Sequence, residues 1–127
     1  MTTPTQTMNP TVSFFRRSTD TVQYKAGDVI YSAGNDDDKM YAVQSGAVDI
    51  VFNGQVIETV IADGIFGEKS LIDDQPHTTT AIAKEDSVIV PVDETKFLFL
   101  VHETPTFALQ VMRVMASRLR NMTLKAF

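Results

Sequence analysis

From Val22 to Val92 the chain is written in short apolar runs punctuated by glycine. That rhythm constrains the fold more than any other feature of the sequence. VQYK is followed by Gly27-Asp28, VIYSA by Gly34 and the acidic NDDDK, and MYAVQ by Ser45-Gly46. AVDIVF runs into Asn53-Gly54 and then QVIETVI. Asn-Gly between two alternating runs is the strongest short-range hairpin signal, because both turn positions need φ > 0. Short strands with turns every ~8–12 residues indicate a β-sandwich or roll. All six glycines sit between runs and none inside one.

The pattern changes after Pro91. Asp93 is placed to cap a short helix, ETKFLFLVH. Thr104-Pro105 then opens a second, with a capping Thr and Pro at the first helical position. Within it Ala108, Met112, Met115, Leu119 and Met122 recur at helical spacing and form one apolar stripe. The stripe fits either packing on the β-layer or a dimer seam, and two heptads do not decide between them. Strands first and helices last make an α+β layout. Residues 1–12 are Thr/Pro-rich and read as a flexible N-terminal tail, leaving 13–127 as one domain. No internal repeat is visible.

An apolar fraction of 43% over 127 residues is enough for a core without staples. The absence of cysteine excludes a disulfide framework and thiolate chemistry and fits a reducing compartment. The N-terminus MTTPTQTMNPTV has neither the basic nor the apolar region of a secretory signal. No apolar run approaches the ~18 residues of a membrane span. The cytoplasm is therefore the default location, with no membrane association. The segment after Glu103 holds Arg113, Arg118, Arg120 and Lys125 and no acid. It is +4, and against a total of −5 the rest of the chain is −9. The acidic bulk disfavours a nucleic-acid binder. The basic end fits a partner surface or a solvated helix face whose cations favour the helix dipole.

The stretch Phe66–Ala83, FGEKSLIDDQPHTTTAIA, has the layout of a phosphate cradle. Such a cradle converges backbone N–H groups from a turn, helped by hydroxyls and a cation. Gly67 lets the backbone approach closely, Ser70 begins a short segment whose amides can face an anion, and Thr78, Thr79 and Thr80 lead into a strand. Glu68 suits a sugar hydroxyl rather than a phosphate. Where a cation is expected there is His77.

YKAGDVIYSAGNDDDKMYAVQSGAVDIV followed by FGEKSLIDDQPHTTTAIAKEDSVIVPVD resembles the cyclic nucleotide-binding domain, the sensor module of catabolite-activator/Fnr regulators, protein-kinase regulatory subunits and gated channels. Glycines 27, 34, 46 and 67 match the family's turns, and MYAVQSG matches its strand-and-turn signature. The resemblance runs from about Val12 to Leu124. It implies an eight-stranded β-roll flanked by helices, with a phosphate-binding cassette between two strands. In that cassette Gly67 would supply an amide, Glu68 would accept from the ribose 2′-OH, and the Ser70 amide would face the cyclic phosphate. Thr78 would lie beside that phosphate. His77 falls on the family's arginine, and Lys69 and Asp74 are further departures from its usual apolar residue and glycine.

Arginine presents an always-charged planar fork, whereas a neutral imidazole offers one donor. Losing a charged hydrogen bond costs roughly 1.5–3 kcal/mol, about 10- to 150-fold in affinity. Two readings of His77 stay open: a weakened site for cyclic AMP or cyclic GMP, and a shell that no longer binds. Asp36-Asp37-Asp38 lacks the spacing and bidentate Glu of a calcium loop and reads as a solvated turn. His77 and His102 lie in different elements and make no metal site of the cupin kind, and no nucleophile elbow appears. The expectation is a non-enzymatic regulatory sensor, without metal or cofactor, that forms a homodimer through its C-terminal helix. It would bind no DNA directly, since no helix-turn-helix follows the roll. The alternative is a ligand-independent scaffold that dimerises or docks a partner.

Overall fold

The computed structural model describes residues 11–126. A 3-10 turn at Ser13–Phe15 precedes eight strands: β1 Val22–Tyr24, β2 Val29–Tyr31, β3 Met40–Ser45, β4 Ala47–Phe52, β5 Gln55–Ile61, β6 Ile65–Phe66, β7 Thr80–Ala83 and β8 Ser87–Val92. Helix α1, Glu68–Asp73, interrupts them, and α2 (Glu94–Glu103) and α3 (Thr106–Ala126) follow. The strands form two four-stranded antiparallel sheets, ordered β1-β8-β3-β6 and β2-β7-β4-β5. The expected eight-stranded roll with trailing helices is present.

Local signals account for much of this. Asn53 and Gly54 both take positive φ, 51° and 77°, and join β4 to β5 in a two-residue hairpin turn. Asp93 caps α2 as expected, its carboxylate accepting from the Lys96 amide at 2.8 Å. β3 explains why MYAV is an unbroken apolar run: both its faces are covered. Met40 and Ala42 point into a core shared with Val90, Val92, Phe107, Val111 and Val114 under the helices. Tyr41 and Val43 point between the sheets, toward Tyr31, Val48, Phe66 and Ile89.

Two boundaries differ from the sequence reading. Val12, assigned there to the tail, is buried in the helix-side core, and its amide donates to the Asp63 carbonyl at 2.8 Å. The rest of that tail, residues 1–10, lies outside the described residues, apart from the exposed Thr11. On α3 the face that meets the roll is Phe107, Val111 and Val114, all fully buried. The stripe read from the sequence lies one residue on, and its Met112, Leu119 and Met122 are 55–65% exposed. Phe107 decides the choice, because its ring stands edge-on to Phe14, Phe15 and Phe97 with centroids 5.3–5.9 Å apart. Among the described residues no helix is long and apolar enough to cross a membrane.

Candidate functional site

The Phe66–Thr80 segment leaves the edge of one sheet at β6 and enters the middle of the other at β7. All five expected site residues lie on this crossing. Gly67 sits at φ +74° and caps α1. A Cβ there would meet the His77 ring at 3.0 Å and the Tyr31 ring at 3.3 Å, so glycine is required on both conformational and steric grounds. Ser70 is buried and its hydroxyl donates to the Gln75 carbonyl, which closes α1. Thr78 is exposed.

His77 does not extend as a free cation would. Its side chain is 2% exposed and lies against Tyr31 in a parallel stack, with ring centroids 3.7 Å apart. Its Nε2 is 2.7 Å from Asp37 Oδ1 and, facing an acceptor, acts as donor. Its backbone is held as well: the His77 amide donates to the Asn35 carbonyl and the Gly34 amide to the His77 carbonyl. The loop between β2 and β3 thus grips His77 from three sides.

Asp37 corrects the reading of the acidic run as a solvated turn. Asp36 and Asp38 are exposed, but Asp37 turns inward and accepts from His77, the Tyr41 hydroxyl and the Lys39 amide. Burial alone would raise its carboxyl; the hydrogen bonds outweigh that and hold it below the usual carboxylate range. Local desolvation together with the neighbouring Asp36 and Asp74 carboxyls pushes Asp38 up, so the two acidic segments meet beside the cassette. Tyr31 is buried, and burial pushes its hydroxyl up to about 12.

Glu68 is also occupied. It is buried, and its Oε1 accepts from Arg118 Nη1 at 2.8 Å. Arg118 reaches in from α3 and donates from Nε and Nη2 to both oxygens of Glu58, each at 2.9 Å. A further bond from Nη2 goes to the Ile65 carbonyl at 2.6 Å. Burial acts to lower the Arg118 pKa, but the two carboxylates outweigh it and raise it. The sequence reads Arg118 as part of a basic end, on a partner surface or a solvated helix face, and does not single out Glu58. The one available signal was the 107-111-114-118 spacing, which carries the core face of α3 onward to an arginine. A cleft of about 480 Å³ opens elsewhere, between Lys39, Pro91, Lys96 and Phe99, and none of the five cassette residues lines it. Among the described residues no cluster of three metal-ligating side chains is present.

The family model of the cyclic nucleotide-binding domain matches residues 21–104. The cGMP-dependent protein kinase of Plasmodium berghei is 33% identical over 89 residues, 69% of this chain and 10% of the kinase. The cAMP-dependent protein kinase regulatory subunit of Dictyostelium discoideum is 40% identical over 70 residues, 51% of this chain and 21% of the subunit. The chain therefore spans a tenth to a fifth of the length of these relatives. Among solved structures, the Thermus thermophilus catabolite activator protein superposes with a TM-score of 0.75 at 27% identity, covering 84% of this chain and 52% of that one. The regulatory subunit of a cAMP-independent protein kinase A from Trypanosoma brucei gives 0.57 at 26% identity, covering 61% of this chain and 28% of that one.

Proposed function

This chain belongs to the cyclic nucleotide-binding domain family, and from that premise we propose that it is a non-catalytic regulatory sensor of low intrinsic affinity for cyclic AMP or cyclic GMP. The carrying observation is the His77–Asp37 pair. The residue standing where the family has its phosphate-binding arginine spends its Nε2 on a carboxylate 2.7 Å away. A phosphate entering there would meet a ring already paired and the negative charge of Asp37. Gly67, Glu68, Ser70 and Thr78 lie on the same crossing between β6 and β7, which supports reading the segment as a ligand framework that lacks a cation at His77.

The test is calorimetric titration of both nucleotides into three proteins: the wild type, His77→Arg, and His77→Arg with Asp37→Asn. The double variant should bind about 10- to 100-fold more tightly than the wild type, the reverse of a lost charged hydrogen bond. His77→Arg alone should fall between, because Asp37 competes for the new guanidinium. If neither variant gives heat at millimolar nucleotide, missing charge is not the defect and the sensor reading fails.

The exposed face of α3 supports a second reading, a scaffold that self-associates without ligand. Met112, Leu119 and Met122 lie exposed at heptad-like spacing, and such a face is suited to a second copy of the same helix. The nucleotide titration separates the two readings, since the scaffold would self-associate and give no heat with either nucleotide.

A further inference from the structure

Arg118 makes four hydrogen bonds to three acceptor groups: both Glu58 oxygens, one Glu68 oxygen and the Ile65 carbonyl. The side chains of Arg118, Glu58 and Glu68 are 19%, 24% and 5% exposed. Two part-buried carboxylates this close together repel each other unless a cation lies between them. The bidentate fork on Glu58 is the geometry in which guanidinium–carboxylate pairing is strongest. We infer that Glu58, Glu68 and the Ile65 carbonyl form a guanidinium site whose resident occupant is Arg118. It docks α3 on the roll without a nucleotide and sets Arg118 in competition with a ribose hydroxyl for Glu68.

The first half of α3 is seated by Phe107, Val111 and Val114. One turn further the same face continues as Arg118, so the second half of the helix is held by charge where the first is held by apolar packing. Leu119 and Met122 beside it are largely exposed. Glu58 makes the arrangement self-sufficient, because its two bonds would hold Arg118 in place with Glu68 withdrawn. A ligand that takes Oε1 of Glu68 must break only the Nη1 bond. A ligand that needs the space of the guanidinium must break all four and release the end of α3.

The docking half of this inference stands on the structure alone; the competition half rests on the nucleotide reading above. Two measurements separate them. Hydrogen exchange of the α3 amides beyond Val114 is compared in the wild type, Glu58→Gln, Arg118→Met and Arg118→Lys. Glu58→Gln and Arg118→Met should each speed exchange there by roughly tenfold or more, the loss of at least one charged hydrogen bond. Arg118→Lys, which keeps the charge without the fork, should fall between. Unchanged exchange in the first two variants overturns the guanidinium site. Nucleotide affinity is then measured with and without Glu58→Gln in the His77→Arg, Asp37→Asn background. Competition requires the affinity to rise about tenfold or more once Arg118 has lost its bidentate partner. Heat that is unchanged or weaker overturns the competition while the sensor reading stands. No heat from any protein overturns the competition and the sensor reading together, and the exchange result still decides the docking.

Discussion

Replacing Phe107 by Ala tests the orientation of α3, on which the placement of Arg118 depends. Phe107 is fully buried, and its ring stands edge-on to Phe14, Phe15 and Phe97. Truncating a buried Phe costs about 3–5 kcal/mol through lost transfer energy and the cavity left behind. Three aromatic contacts, each contributing roughly 0.5–1.5 kcal/mol beyond area, place this site toward the upper end of that range. Against a domain stability of about 5–15 kcal/mol, the loss is a third or more of the total. In a domain of this size it corresponds to a fall in melting temperature of roughly 10–20 °C. Urea denaturation followed by far-UV circular dichroism measures it as a lower midpoint at unchanged slope. Met112→Ser, on the exposed face, is the control and should change monomer stability by less than about 0.5 kcal/mol. The reasoning fails if the two costs are reversed. That result would mean that α3 is turned by about one residue, or 100°, so that the Met112 face meets the roll and Arg118 leaves Glu58 and Glu68.

Asp37 should make stability depend on acid. Its carboxyl is held low in the folded state, so its contribution is fully present above the ordinary carboxylate range and is lost as pH falls through its depressed value. Asp37→Asn should therefore narrow the gap in urea midpoint between pH 7 and pH 3, and an unchanged gap would show that the His77 and Tyr41 bonds do not stabilise the carboxylate. Leu119→Ser with Met122→Ser should leave the melting temperature of a dilute sample unchanged while weakening self-association at micromolar concentration in sedimentation equilibrium. A wild type that sediments as a strict monomer would remove the dimer proposal altogether.

What could be read from the sequence was local. The Asn53-Gly54 turn, the Asp93 cap and the glycine at 67 are each specified by a residue whose backbone chemistry admits few alternatives. The face of α3 was harder, because two overlapping stripes, 107-111-114 and 108-112-115, are both apolar. Periodicity identifies an amphipathic helix but does not rank adjacent stripes. The ranking came from shape, since only Phe107 fills the space between Phe14, Phe15 and Phe97. Val12 was missed for a related reason: a lone valine after a Thr/Pro stretch carries no periodic signal, and a bond to the distant Asp63 carbonyl tethers it.

The site divides along the same line. His77 stood out because a single residue type was wrong for an anion cradle, yet its consequence depends on groups far along the chain. Asp37 is forty positions away, in a run of three aspartates that composition reads as a solvated turn. Which of the three turns inward is set by contacts that no local pattern contains, among them the Tyr41 hydroxyl and the Lys39 amide. Arg118 lies fifty positions from Glu68 and sixty from Glu58, on a segment whose cations read as a partner surface or a solvated helix face. In both cases the cassette sequence supplied the frame, and its electrostatic state was determined by side chains that the fold brings to it. On the proposed sensor reading, substitutions at Asp37, Glu58 or Arg118, all outside the Phe66–Ala83 stretch, would change nucleotide affinity while Gly67, Glu68, Ser70 and Thr78 stay unchanged.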